Sequence, residues 1–280
     1  MLGGDEGVVR VTRVAFSGAA PARHAVRRLS SRFRAGNVAM FHGGRSGSTV
    51  LGQMLAETRR VLWAGELYET PVAEGTLPVA SDVDASIQYL RRHMINAGSR
   101  FYGFEVKFQQ LRALQLAVPE CVDRFGELGF EHFIVLRRRN SLRALVSVAV
   151  AAQDGRYHQS AGAASVLRRT PIPIETTSRC GAPRSLIDRL RNREQNFSVL
   201  EQALVGRNVL QLTYEEDVNA DPQLGYRRIC SFLDIEPGDV PVRLGRTNPF
   251  PLRQMIENVD EVERALQGSP YQWMLEDPSP

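Results

Sequence analysis

Lysine is almost missing from this chain. Lys107 is the single one, and the other 34 of the 35 basic residues are arginines. Cysteine is scarce too: Cys121, Cys180 and Cys230 lie far apart in the sequence. That spacing excludes a disulfide framework and a cysteine zinc site, and it fits a reducing, cytoplasmic setting. Long apolar runs are absent. The longest, Ala144 to Ala152, is broken by Ser147 and is far too short to span a bilayer, so no transmembrane segment is expected. The first residues hold no apolar core of a secretion leader. Dense Lys/Arg runs interleaved with aromatics are lacking as well, which argues against a nucleic-acid surface. No internal repeat is visible.

What is present describes one globular unit. The chain has 280 residues, 43% of them hydrophobic and 24% charged, enough for a single α/β domain with a substantial core. A net charge of +4 suits a polyanionic ligand without requiring one. Residues 1–36 read as a basic arm, because Arg23, Arg27, Arg28, Arg32 and Arg34 have no acid among them. The competing reading is a solvated terminus. Residues 37–280 read as one domain. Val38–His42 forms a short buried strand, and a helix opens at Ser48. A helix over Asp84–Ala97 follows, then strands over Phe101–Phe108 and His132–Leu136. Asn140 caps the next helix. Residues 153–183, rich in Gly, Ser, Thr, Pro and Arg, read as a lid-like insertion. A helix carrying Leu186, Leu190, Phe197, Leu200 and Leu204 comes next, then the strand Val209–Tyr214 and a helix opened by Asp221-Pro222. Strands alternating with helices predict a P-loop-like, three-layer α/β/α fold with a mostly parallel central sheet.

Two strand-to-helix junctions carry the chemistry. The first is Gly43-Gly44-Arg45-Ser46-Gly47-Ser48-Thr49. Glycines let the backbone approach an anion, the helix N-terminus adds partial positive charge, and Arg45 with three hydroxyls supplies donors. The ordinary nucleotide-triphosphatase loop ends in Gly-Lys-Ser/Thr, whereas Gly47 is followed by Ser48. The second is Arg137-Arg138-Arg139, where a triphosphatase strand commonly ends in a magnesium-binding Asp. Arg139 and Ser147, two helical turns apart, can converge on one phosphate; Arg138 in place of Arg139 is the alternative register. Cations at that position point to a second phosphate rather than to a metal. Phosphoadenosine phosphosulfate carries such a phosphate on its 3′ oxygen, and a triphosphate does not.

At these junctions the sequence resembles the sulfotransferase superfamily, its bacterial carbohydrate-type members in particular. Gly43–Thr49 is similar to the family's 5′-phosphosulfate loop, and Arg139-Asn140-Ser141 through Ser147 to its 3′-phosphate element. Gly65-Glu66, Gly103–Lys107 with Gln109-Gln110, and Tyr214-Glu215 also look similar. Two departures stand out. Classical cytosolic members have Lys where Arg45 stands and Pro after the residue matching Asn140. The resemblance implies 3′-phosphoadenosine 5′-phosphosulfate (PAPS) as co-substrate, adenosine 3′,5′-bisphosphate (PAP) as product and no metal. It also implies a small-molecule or carbohydrate hydroxyl as acceptor. Glu66 is then the preferred base, with Glu69 and His42 as rivals. Arg45 neutralises the leaving phosphate, Lys107 holds the transferring group, and Tyr214 with Glu215 braces the loop. Enclosure by Trp63 and Tyr68 would tune Glu66, and Arg253 with Asn258 would complete the nucleotide pocket. The alternatives are a P-loop small-molecule kinase, with Glu215–Asp217 holding magnesium, and a non-catalytic nucleotide-binding module. Acceptor identity and oligomeric state, a homo-oligomer included, stay open.

Overall fold

The structure, a computed structural model, describes residues 33–73, 83–178 and 181–276. The chain begins with β1 (Asn37–His42), α1 (Ser48–Glu57), β2 (Val61–Trp63), α2 (Glu69–Ala73) and α3 (Val83–Met94). It continues through β3 (Phe101–Lys107), α4 (Phe108–Ala113), α5 (Val118–Glu127), β4 (His132–Arg137) and α6 (Ser141–Asp154). Next come β5 (Gln159–Ser160), β6 (Glu175–Ser178), β7 (Gly181–Ser185), α7 (Leu186–Ala203) and β8 (Asn208–Thr213). The last elements are α8 (Pro222–Phe232), β9 (Leu244–Gly245), α9 (Leu252–Met255), α10 (Val259–Leu266) and α11 (Trp273–Glu276).

Five strands make one parallel sheet in the order β2-β3-β1-β4-β8. Alternation along β1 explains the layering. Ala39 and Phe41 face one side with Phe104, Phe125 and Phe133; Val38 and Met40 face the other with Leu51, Met54 and Ile229. Both faces are covered by helices, giving the three-layer α/β/α arrangement and the nearly continuous apolar strands that such burial demands. A third apolar cluster joins α6 and α7 to the C-terminal helices through Leu142, Leu186, Met255 and Met274. The register aligns the strand ends, with His42 opposite both Lys107 and Leu136, and Arg137 opposite Thr213. Residues leaving these carboxyl ends therefore share one edge of the sheet, where ligands bind in open α/β folds.

The anticipated strand over Phe101–Phe108 stops one residue early. Phe108 opens α4, because the Gln110 side chain accepts the Lys107 N–H at 3.0 Å and caps the turn. The insertion is less irregular than its composition implied. β5 pairs antiparallel with β9, and β6 with β7. Segments of two to five residues are too short to display a period. Of the basic arm, Arg23, Arg27, Arg28 and Arg32 lie outside the described residues, whereas Arg34 donates to the Met94 carbonyl at 2.7 Å. No helix among the described residues is long and apolar enough to cross a membrane.

Gly103 and Gly52 clasp the Trp63 ring between β3 and α1. A Cβ would lie 2.4 Å from the ring at position 103 and 2.3 Å from its Nε1 at position 52. Gly103→Ala therefore overpacks a filled site. It should cost about 1–3 kcal/mol and lower the melting temperature by about 3–10 °C, read by calorimetry.

Candidate active site

The loop after β1 reverses direction through left-handed backbone at Gly44, Arg45 and Gly47 (φ 80°, 56° and 83°). At Gly47 any side chain would also strike Val218, whose Cγ1 lies 2.5 Å from a built Cβ. Arg45 has no glycine freedom, and its side chain is anchored three times. Nε donates to Ser147 Oγ at 2.9 Å, and the two terminal nitrogens to the Tyr157 carbonyl (2.7 Å) and Thr247 Oγ1 (2.9 Å). The loop's carbonyls are also committed. Arg193 donates to those of Gly43 (3.0 Å) and Gly44 (3.5 Å), and Arg138 to that of Arg45 (2.9 Å). Apart from that of Gly44, which His42 accepts, amide N–H groups are what this loop's backbone has left to offer an anion. Ser46, 1% exposed, keeps a hydroxyl with no partner among the described residues.

At the second junction the three arginines diverge. Arg137 stacks on Phe197, its guanidinium 5.3 Å from the ring centroid. Arg138 is 9% exposed and lies 4.1 Å over the Tyr214 ring. Burial pushes its pKa down to about 10, with Arg143 and Arg45 acting the same way and Tyr214 and Glu215 opposing. Arg138, Arg143, Ser147, Tyr214, Thr247 and Asn248 line one recess. Arg139 leaves it: its side chain pairs with Glu216 at the surface. Of the two registers read from the sequence, Arg138 therefore faces Ser147, and Arg139 does not. The cause is Glu215, whose carboxylate accepts the backbone N–H of Arg139 (3.1 Å) and Asn140 (3.4 Å) and fixes the turn.

The acidic run is spoken for. Glu215 holds that turn, Glu216 pairs with Arg139, and Asp217 accepts from the Thr213 N–H (2.7 Å) and from Arg228 (2.5 Å). Arg253 and Asn258 miss the cleft. Arg253 pairs with Glu263 and Glu276, while Asn258 bonds Ile172 and Glu261. Arg246, Thr247 and Asn248, earlier in the same segment, take the position expected of them.

Across the cleft Lys107 contacts Glu66 and sits 3.0 Å from Glu69. Glu66 is the more enclosed acid, its side chain 23% exposed against 54% for Glu69. Trp63 and Tyr68 do not cage Glu66. Tyr68 is sunk in the core, bonded to the Ser86 carbonyl (3.3 Å), and Trp63 donates to Glu105 (3.0 Å). Both His42 nitrogens lie against protein groups. Nδ1 accepts the Gly44 N–H at 3.2 Å, which leaves the proton on Nε2, 3.3 Å from Glu105 Oε2. One ligand atom each of His42, Glu66 and Glu105 lies within 4.8 Å of the others, but the Lys107 ammonium already meets the charge of Glu66.

Glu105 is the centre that the sequence did not single out. Burial alone would push its carboxyl up; hydrogen bonds to the carboxylate, from His42 first and then from Trp63 and Ser48, outweigh that and hold it below the usual carboxylate range. A depressed native value means stability is fully present above the ordinary value of 4.5 and is lost as pH falls through the native one. Glu105→Gln should therefore flatten the loss of denaturant midpoint as pH falls below the ordinary value of 4.5, measured by urea titration. An unchanged acid slope would remove Glu105 from this role.

Together these residues border one open cleft of about 990 Å³. Of the candidates read from the sequence, His42, Gly43, Gly44, Arg45, Gly47, Ser48, Thr49, Glu66, Glu69, Lys107, Arg138, Ser147 and Tyr214 all line it. Ser46 lies buried beneath the loop surface, and Arg139 stands outside. Neither protein-family models nor curated proteins match this chain. The reading of the cleft thus rests on its own chemistry. Two donor-rich stations lie in it, the glycine loop and the Arg138–Ser147 recess, and Arg45 bridges them through its bond to Ser147.

Proposed function

We propose that the protein is a PAPS-dependent sulfotransferase on a P-loop-like fold, moving a sulfuryl group to an acceptor hydroxyl. The observation that carries this reading is the pair of stations on one cleft, built for a ligand anionic at two separated points. The residues fit such a donor. Arg138, which lines the recess, keeps a buried Nε without a partner among the described residues, and Ser46 keeps such a hydroxyl beneath the glycine loop. Arg138, Ser147 and Asn248 would hold the 3′-phosphate, and Gly43–Thr49 with Arg45 the 5′ end.

The donor supplies an activated sulfuryl group whose leaving phosphate gains negative charge during transfer. The protein's part is placement and charge. The permanent cation of Arg45 and the N–H groups of the loop neutralise that gain without reorganising. Glu66 takes the acceptor hydroxyl's proton. Lys107 orients Glu66 and lies where the transferring oxygens need a cation. Glu105, through His42 and Ser48, fixes the loop from below. The kinase alternative is weakened because Glu215, Glu216 and Asp217 each serve a protein partner.

The direct test is transfer of radiolabelled sulfate from PAPS to a mixed panel of sugars and phenols in the presence of a metal chelator. Labelled product that persists in chelator supports the reading. Hydrolysis or transfer seen only with a nucleoside triphosphate and magnesium would replace it with the kinase.

A further inference from the structure

The donor site does not use all of the cleft's positive charge. On the wall formed by α4, β7 and α7, the charged members are Arg112, Arg184, Arg189 and Arg193. On α7, Arg189, Asn192, Arg193 and Asn196 recur at three- and four-residue spacing, so one helical face is turned to the cleft. Among the described residues none of these four arginines has a carboxylate within ion-pair distance. Asp188, near Arg184, is already committed to the Ser185 hydroxyl (2.8 Å) and to Arg191 (2.8 Å). The cleft's own acids, Glu66 and Glu69, are held by Lys107.

The arginines also crowd one another. Arg193 is pushed down to about 10 by burial, then by Arg138 and Arg112; Arg112 is lowered by burial and then by Arg184. Arg193 Nε and Arg189 Nε are buried without hydrogen-bond partners. Like charges held together without counter-charge destabilise a fold, and an anionic partner relieves the cost. Arg193 serves the loop carbonyls and Arg189 Nη2 the Pro173 carbonyl, which leaves Arg112 and Arg184, with the remaining nitrogens of Arg189, facing the acceptor side.

We propose that this wall is the acceptor subsite and that the acceptor is itself acidic, carrying a carboxylate or sulfate ester that Arg112, Arg184 and Arg189 grip beside the reacting hydroxyl. The inference rests on the sulfotransferase reading for the word acceptor, but the anion site stands apart from it. Arginine's fork matches both groups in bidentate fashion, so charge and shape are read together. Asn192 and Asn196 add neutral donors for hydroxyls on the same molecule.

The test uses three probes on one backbone: cellotetraose, its uronic-acid form and its sulfate ester. Each is titrated into the full-length protein by calorimetry, with and without saturating PAP. Both acidic probes are expected to bind about tenfold or more tighter than cellotetraose, and to keep binding with PAP present. Arg112→Ala/Arg184→Ala should bring them to the neutral level while PAP affinity stays within about twofold. A tighter uronate than sulfate identifies a carboxylate acceptor, and the reverse a sulfated one. Equal binding of acidic and neutral probes, no binding of either acidic probe, displacement of both by PAP, or indifference to the double variant would each overturn the proposal. Failure of PAP to bind while the acidic probes still depend on Arg112 and Arg184 would instead overturn the donor assignment and spare the anion site.

Discussion

Arg138→Ala is expected to raise the dissociation constant for PAP by about 30- to 150-fold, and Arg139→Ala to leave it within about twofold. The first figure follows from removing a charged hydrogen bond in a site of low exposure, about 2–3 kcal/mol. The second follows from geometry: Arg139 spends its side chain on Glu216 at the surface, where an ion pair contributes about 0–1 kcal/mol to stability and nothing to the recess. Arg138 also donates to the Arg45 carbonyl and stacks on Tyr214, so its loss loosens the glycine loop as well as the recess. Arg138→Lys separates the two effects, since it keeps charge but not the planar fork. Intermediate affinity for the lysine variant is expected, with melting temperature near that of the parent. A weaker Arg139→Ala than Arg138→Ala would reverse the assignment.

Glu66→Gln should lower turnover by about 10²- to 10⁴-fold, the usual contribution of a positioned base, while PAP affinity stays within about twofold. Glu69→Gln should cost much less, because Glu69 is the more exposed of the two and also shares a bond with Gln110 at 3.4 Å. His42→Gln should not reproduce the loss, since Nδ1 is taken by the Gly44 N–H and Nε2 lies 3.3 Å from Glu105. Pre-steady-state transfer from PAPS reads the chemical step free of product release. Intact transfer in Glu66→Gln with loss in Glu69→Gln would move the base along the chain by three residues.

The layers of the fold were legible because the strands are buried on both faces and so read as unbroken apolar runs, and because Asn140 and Asp221 mark helix starts by side-chain chemistry. The glycine loop was legible for the same local reason: Gly44 and Gly47 occupy backbone that favours glycine. What the sequence hid is whatever depends on distant partners. Arg138 and Arg139 are adjacent and chemically identical, and only Glu215, some 76 positions away from Arg139, sends one inward and the other out. Glu105 sits mid-strand, where a carboxylate reads as a flaw until His42, Trp63 and Ser48 are seen around it. Arg193, Arg246 and Asn248 carried no motif, so tertiary packing alone brings them to the cleft. The exposed alternation that β5 and β9 might have displayed is absent, because each is only two residues long.

Titration of the unmodified protein with PAP and with adenosine 5′-diphosphate, by calorimetry in chelator, tests the two-station cleft most directly. The two ligands differ in where the second phosphate sits, at the 3′ position in one and on the 5′ chain in the other. The account predicts that PAP binds about 30-fold or more tightly, the worth of one charged contact in a buried recess. Equal affinities, or a preference for the diphosphate that grows with magnesium, would contradict it.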